Sequence, residues 1–294
     1  MKTLVSVKKD MEFNKGLALL IETLKSIAIA QYYAMEKRLV IFEEFLPTVE
    51  DFFEFINLDA VDHLFTNSKG RAQAVVAVTT DAGFLGGLNM KVVGMALDEA
   101  RNMPTKLIII GQRGKAYVQG AGFPIVSFQG IQDESRRAQA AQLRDYICQR
   151  ALAGDFDTVK VIYPRPISFG VNRIETASFL PFRPAASPRG GPRGEPAHTV
   201  KSSVSVSSDI ILESNLGSMI EYLVYLWMGE KLYNIFGLSR LAEFSARYVH
   251  LDESSEKLKD EDKKVKLEYF RVRHECADRA LRELISGRYV RARK

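Results

Sequence analysis

The chain has 294 residues, 46% hydrophobic and 26% charged, a balance that predicts a soluble globular protein with one full domain and extensions. No window of about eighteen residues is apolar and free of charge, which argues against a membrane-spanning helix. The N-terminal sequence has neither the apolar run of a secretory signal nor the composition of a transit peptide. The two cysteines, Cys148 and Cys276, form no disulfide framework or metal-ligand spacing, which fits a reducing compartment.

The formal net charge of +5 raises the question of nucleic-acid binding. The excess lies in the middle of the chain, partly around Arg189 and Arg193, and the two terminal segments are close to neutral. No segment combines a one-sided basic stripe with exposed aromatic residues, so the sequence predicts no nucleic-acid partner.

Residues 1–57 are predicted to form the N-terminal helix of a coiled coil. Its apolar residues alternate between spacings of three and four, which is the heptad pattern of helices that pack side by side. Two steps of four across Gln31 and Met35 predict a stutter, and Pro47 predicts a kink. The predicted seam is Phe13, Leu17, Leu20, Leu24, Ile27, Leu39, Phe42, Leu46, Val49, Phe53 and Ile56.

Residues 209–294 are predicted to form the C-terminal coiled-coil helix and a basic tail. A helix of about 80 residues would be roughly 120 Å long, so it needs a partner outside a globular domain. We expect the two terminal helices to pair as a long antiparallel coiled coil; the alternative is two ordinary amphipathic helices on a globular core. The predicted seam is Leu241, Phe244, Tyr248, Leu251, Ser255, Leu258, Asp262, Val265, Tyr269, Val272 and Cys276, with the cysteine as a small apolar filler.

Residues 58–208 are predicted to form an inserted, mainly parallel, Rossmann-like α/β domain, because buried strands alternate with amphipathic helices. Residues 183–201, rich in Pro, Gly and Arg, predict a flexible loop, and Ser202–Ile211 predicts a further edge strand. The other predicted elements are strand Ala72–Thr79, helix Asn89–Arg101, strand Lys106–Ile110, helix Gly114–Gln119, helix Asp133–Ala153, strand Thr158–Tyr163 and strand Ser168–Phe182.

The glycine-rich segment Asp81–Asn89 follows the first predicted strand, where backbone amides can hold a phosphate. It has neither the GK[ST] of a P-loop nor the G-x-G-x-x-G of a dinucleotide site. We therefore interpret Asp81, Gly83, Gly86, Gly87 and Asn89 as a structural turn, with phosphate or nucleotide binding as the alternative. The four histidines have no metal-ligand neighbours, and no nucleophile motif is present, so no catalytic, metal or cofactor site is predicted.

Five segments resemble the γ subunit family of F-type ATP synthases, in the same order along the chain. They are Ser26–Ala28 (M-V-A in the family), Thr79–Asn89 (S-D-x-G-L-C-G-G-x-N), Glu243–Arg247 (S-E-x-x-A-R), Leu267–His274 (L-x-Y-N-R-x-R-Q) and Glu283–Gly287 (E-I-V-x-G). This chain departs from the family at Leu85, where the family has Cys, at Phe270, where it has Asn, and at His274, where it has Gln. The Arg-rich tail and Tyr248–Leu251 also differ, so the resemblance is to a divergent bacterial-type member.

The resemblance implies a non-catalytic central-stalk rotor that couples ion flow through a membrane ring to ATP synthesis or hydrolysis. It implies three α and three β subunits, an ε subunit and a membrane c-ring as partners, and neither a cofactor nor a small-molecule substrate. The implied location is peripheral, on the cytoplasmic face of the bacterial plasma membrane.

Arg273 and His274 match family positions that hydrogen-bond a loop of a catalytic β subunit, and Arg271 is a further candidate for that contact. The alternative is that they are ordinary exposed polar residues on a helix. Two other functions remain open for the whole chain: a non-rotary coiled-coil scaffold, and an α/β enzyme with a helical arm that binds a phosphorylated ligand.

Overall fold

The computed structural model describes residues 3–39, 63–183 and 215–291. The chain divides into two compact units, one of Met1–Ala30 with Arg247–Lys294 and the other of Gln31–Ala246. Pro47, the predicted loop after Arg183, the predicted strand Ser202–Ile211 and both predicted domain boundaries lie outside the described residues.

The described helices and strands follow the order expected of an α/β domain between two long helices. They are α1 (Leu4–Leu39), β1 (Gln73–Val78), α2 (Leu88–Ala100), β2 (Thr105–Ile110), α3 (Gln112–Val118), β3 (Ile125–Phe128), α4 (Arg136–Leu152), β4 (Thr158–Ser168), β5 (Val171–Leu180) and α5 (Leu216–Arg291).

The strands form one five-stranded sheet in the order β3-β2-β1-β4-β5. The pairs β1–β2, β1–β4 and β2–β3 are parallel, and β4–β5 is an antiparallel hairpin. β1 is central and buried along its whole length, as its continuous apolar run predicts for a strand covered on both faces. The predicted fold class is therefore confirmed, with one antiparallel edge strand on an otherwise parallel sheet.

Helices cover both faces of the sheet. Ala74, Val76 and Val78 of β1 face one core, to which α4 and α5 contribute, whereas Val75 and Ala77 face a second core with α2. The alternation follows from the two-residue period of a strand. The α4 and α5 residues of the first core are Ala140, Leu143, Ile147, Cys148, Ala151, Ile220, Val224, Trp227, Met228, Leu232, Ile235 and Phe236.

The sequence prediction missed β3, a strand of only four residues that follows Pro124. It also ended the fourth strand of the sheet at Tyr163, whereas β4 continues to Ser168 through two prolines. Pro164 and Pro166 have no backbone N–H, which lowers strand propensity, but the β4–β5 hairpin pairing extends over both residues.

In the unit of Met1–Ala30 and Arg247–Lys294, the residues 4–30 and 247–291 are helical, and Lys25 of α1 pairs with Asp252 of α5 at 2.7 Å. The predicted seam of α5 agrees with its burial from Leu251 to Val272, because none of its seven positions there is fully exposed; Asp252, Ser254 and Glu268 beside the seam are also partly buried. The seven positions are Leu251, Ser255, Leu258, Asp262, Val265, Tyr269 and Val272.

On α1 the predicted seam is partly wrong. Val7, Ile21 and Ala28 are buried, whereas Phe13, Leu20 and Ile27 are 68%, 56% and 48% exposed. The exposed series lies about 100° around the helix from the buried one. Both series repeat every seven residues, so spacing alone could not decide which faces the partner helix.

The assignment of Cys276 as a seam filler is also wrong, because its side chain is exposed. Every residue from Cys276 to Ser286 is exposed. None of the described helices is both long enough and apolar enough to cross a membrane.

Candidate functional site

The glycine-rich segment begins with Asp81, whose carboxylate joins two neighbouring loops. Its Oδ1 accepts a hydrogen bond from the Gln112 N–H at 2.6 Å, and its Oδ2 accepts one from the Gly130 N–H at 3.1 Å. A Cβ at Gly130 would lie 2.5 Å from the Asp81 carboxyl carbon, so glycine is the residue that lets the carboxylate approach this backbone.

The rest of the segment turns the chain from β1 into α2. Gly87, the residue before α2, has the left-handed φ of 84°, and Gly86 has a φ of 55°. Buried Asn89 holds the far end of the turn: its Oδ1 accepts from the Thr80 N–H at 3.2 Å, and its Nδ2 donates to Thr80 Oγ1 at 3.1 Å. Gly83 has no such left-handed φ and lies near Arg113.

This geometry limits what the turn can bind. The amides of Gln112 and Gly130 already donate to a carboxylate of the chain itself, so a phosphate at this point would have to displace Asp81. Across the described ranges, no group of three or more His, Cys, Asp or Glu side chains could hold a metal ion.

A cavity of about 230 Å³ lies beside the turn and is lined on one side by α5. Beside its α5 wall lies a charge cluster that the sequence prediction missed, with Glu243 buried, Arg240 partly buried and Asp133 exposed. Arg240 Nε donates to Asp133 Oδ1 at 2.9 Å, and Nη1 donates to Glu243 Oε2 at 2.5 Å. Burial alone would lower the pKa of Arg240, but the hydrogen bond to Asp133 and the charge of Glu243 outweigh it and raise that pKa above its usual value.

Asp133 and Arg240 are 107 residues apart, so no local spacing could reveal this pair. The spacing of Arg240 and Glu243 is visible in the sequence, but it is equally typical of an exposed helix pair.

The structure places Arg271, Arg273 and His274 on the exposed surface of α5. Arg271 Nε lies 3.2 Å from Glu275 Oε1, one turn along the same helix. At 100° per residue, Arg271 and Arg273 lie about 160° apart around the helix, with His274 between them. All three lie in the unit that does not contain the glycine-rich turn.

An apolar stripe runs along the same part of α5, between the two arginines. At 100° per residue, the stripe lies on the side of α5 opposite the seam, with His274 inside it and Arg271 and Arg273 at its two edges. The sequence prediction missed it, although its near-heptad spacing was visible. The stripe consists of Leu267, Phe270, Leu281, Leu284 and Ile285, which are between 51% and 71% exposed.

Residues 3–289 match a family model described as ATP synthase. The chain is 19% identical over 291 residues to an ATP synthase gamma chain from Clostridium beijerinckii, covering 97% of this chain and 96% of the relative. It is 26% identical over 217 residues to one from Symbiobacterium thermophilum, covering 73% and 70%.

A chain in the cryo-EM structure of the Euglena gracilis mitochondrial ATP synthase (OSCP/F1/c-ring, rotational state 3) has the same fold. The TM-score is 0.70 at 17% identity, and the match covers 98% of this chain and 94% of the other. Because the family model spans nearly the whole sequence, the chain belongs to the ATP synthase gamma-chain family.

Proposed function

We propose that this chain is the central rotor of an F-type ATP synthase and that it has no catalytic site of its own. Its rotation couples ion flow through a membrane ring to ATP synthesis or hydrolysis in a ring of three α and three β subunits. The observation that carries the proposal is the family match over residues 3–289.

The helical unit has the properties that a rotor shaft needs. Packed helices resist bending, and the ion pair between Lys25 and Asp252 joins α1 to α5. The exposed apolar stripe on α5 offers few directional contacts, so it can slide inside an apolar sleeve with only small barriers. The α and β subunits would form this sleeve, and the ε subunit and the c-ring would bind elsewhere on the chain.

Arg273 and His274 are proposed to bind a loop of a catalytic β subunit, with Arg271 beside them. All three are exposed, His274 within the apolar stripe and the two arginines at its edges, so each can donate hydrogen bonds to a partner that covers the stripe.

We expect Arg273→Ala with His274→Ala to lower coupled turnover while the complex still assembles. The matched control is Lys259→Ala with Lys263→Ala, which removes two exposed cations of the same helix. ATP synthesis and subunit content would be measured in membrane vesicles. Unchanged coupling in the first variant would leave these residues as ordinary surface groups.

The glycine-rich turn is proposed to be structural. Asp81 and Asn89 hold the loops after β1, β2 and β3 in place, and Gly86 and Gly87 supply the left-handed backbone before α2. Saturable binding of ATP to the purified chain, lost in Asp81→Ala, would instead favour a ligand site.

The test of the whole proposal is co-purification from the native membrane through a tag in the predicted 183–201 loop. Recovery of three α and three β subunits per tagged chain, with ATPase activity, is the expected result. A peripheral location on the cytoplasmic face predicts that alkaline washing releases the chain from inverted vesicles. A stable homodimer without these subunits would favour the scaffold function.

A further inference from the structure

Arg136, the first residue of α4, is a charged side chain in a nearly closed environment, with 5% of its surface exposed. Its Nη1 donates to Met35 Sδ of α1 at 3.0 Å, and its Nη2 donates to the Tyr233 hydroxyl of α5 at 2.7 Å. The guanidinium carbon also lies 4.3 Å from the centre of the Tyr233 ring. Through this one side chain, a helix of the α/β domain contacts both long helices.

The long helix is shaped to admit this side chain. A Cβ at Gly237 of α5 would lie 3.1 Å from Arg136 Nη1 and would overlap Leu39 of α1. Glycine inside a helix costs about 1 kcal/mol relative to alanine, so a packing requirement must offset that cost here. The requirement is the close approach of α1 and α4 to the same point of α5.

A second contact of the same kind lies eight residues further along α4, at Arg144. Its guanidinium carbon is 3.7 Å from the centre of the Tyr225 ring, and a Cβ at Gly229 would lie 2.9 Å from its Nη1. Each arginine therefore lies against a tyrosine and a glycine four residues later on α5. The two contacts form an antiparallel pair of arginine notches between α4 and α5.

The two notches differ in whether a carboxylate compensates the arginine charge and in which helices the arginine joins. Arg144 donates to Asp145 at 2.9 Å, and Tyr225 donates to the same carboxylate at 2.8 Å, so that charge is compensated and joins α4 to α5 alone. No Asp or Glu of the described residues pairs with Arg136, and its Nε has no hydrogen-bond partner.

An uncompensated buried guanidinium is unfavourable, and a methionine of similar length would fill the notch without a charge to desolvate. Stability therefore does not explain the arginine. Unlike a methionine side chain, the planar guanidinium of Arg136 makes directional hydrogen bonds, which fix the angle at which α1 and α5 meet α4.

We propose that Arg136 is a positioning residue that locks the two long helices to the α/β domain, so that rotation of one part turns the other without slip. The proposal rests on the rotor function proposed above. It assigns to Arg136, and not to Arg144, the mechanical joint between domain and shaft.

The first experiment uses the complex in membrane vesicles and compares Arg136→Met with the matched control Arg144→Met. The readout is the membrane potential generated per ATP hydrolysed. We expect Arg136→Met to lower this ratio about threefold with normal subunit content, as single substitutions along a coupled network can do. Arg144→Met should leave the ratio unchanged. An unchanged ratio in Arg136→Met, or an equal fall in both variants, would overturn the proposal.

Should the Arg136→Met chain fail to assemble, Tyr233→Phe replaces it, because this change removes the hydroxyl that accepts from Arg136 and keeps the ring. We expect Tyr233→Phe also to lower the membrane potential generated per ATP hydrolysed. No change in that variant, together with assembly, counts against the proposal.

The second experiment tests the joint in the purified full chain, independently of the rotor function. A double-mutant cycle of Met35→Leu with Arg136→Met should be non-additive in thermal unfolding, because residues in contact couple. The cycle of Met35→Leu with Arg144→Met should be additive. Additive effects of Met35→Leu and Arg136→Met would show that the joint does not exist. Non-additive effects in a chain that does not purify with α and β subunits would overturn the rotor function but not the contact.

Discussion

The two cysteines lie in opposite environments. Cys148 is buried on α4, and burial raises the pKa of its thiol to about 12. Because the thiolate is the reactive form, Cys148 should resist alkylation at neutral pH, whereas exposed Cys276 should react. Mass spectrometry after maleimide treatment should find one label on the native chain and two after unfolding. A native chain labelled at Cys148, or unlabelled at Cys276, would contradict the burial of α4 or the exposure of this part of α5.

The charge cluster beside the cavity gives a second prediction at the scale of residues. Arg240→Met deprives the Glu243 carboxylate of its guanidinium, and only 1% of that side chain is exposed. We expect the free energy of unfolding, measured with urea, to fall by about 2 kcal/mol, because a charged hydrogen bond to a buried carboxylate is lost. Adding Glu243→Gln should recover part of the loss, because the buried charge is then gone. Lys259→Met, in an exposed pair, is the control and should change stability by less than about 1 kcal/mol.

At the scale of elements, the ion pair between α1 and α5 gives a pH prediction. The hydrogen bond from Lys25 to Asp252 raises the pKa of Lys25 above 10.5, against a smaller opposing effect of burial. A raised pKa of a cation contributes stability that is complete below about 10.5 and is lost as the pH rises through the folded value.

The unfolding free energy of the unaltered chain should therefore fall faster above pH 10.5 than that of Asp252→Asn. Asp252 is half exposed, so the difference should stay below about 1 kcal/mol. Parallel pH profiles of the two chains would mean that the pair does not join the helices in solution.

The helices and strands also show how much of the fold could be predicted from the sequence. β1 and β2 are short, continuous apolar runs between turns, a pattern that is typical of buried strands. The ends of both strands were predicted to within two residues. The seam of α1 was not, because Phe13, Leu20 and Ile27 have the same heptad spacing as the buried residues. The pairing of Asp133 with Arg240 depends on the fold and cannot be read from either sequence segment.

At the scale of the whole molecule, the end of α5 gives a prediction about folding and assembly. Removing the residues after Glu275 takes away side chains that, as far as Ser286, are all exposed. The melting temperature of the isolated chain should change by no more than about 2 °C, as for other surface changes. Recovery of α and β subunits should fall, because Leu281, Leu284 and Ile285 are lost.

Differential scanning calorimetry and tagged purification give these two readouts. A truncated chain that melts much lower would show that this end packs against another part of the chain. If the truncated chain still recovers α and β subunits in full, the apolar stripe does not form the proposed contact with the sleeve.

The carboxylate of Asp81 has a consequence for the concentrations of small molecules around the complex. An α/β domain with free amides at its strand ends would compete for the ATP, ADP and phosphate on which neighbouring catalytic sites depend. Here the amides of Gln112 and Gly130 are saturated by a covalently attached anion. We therefore expect the proposed rotor to bind no phosphate or nucleotide through these two amides, so their occupancy should not change with the energy state of the cell.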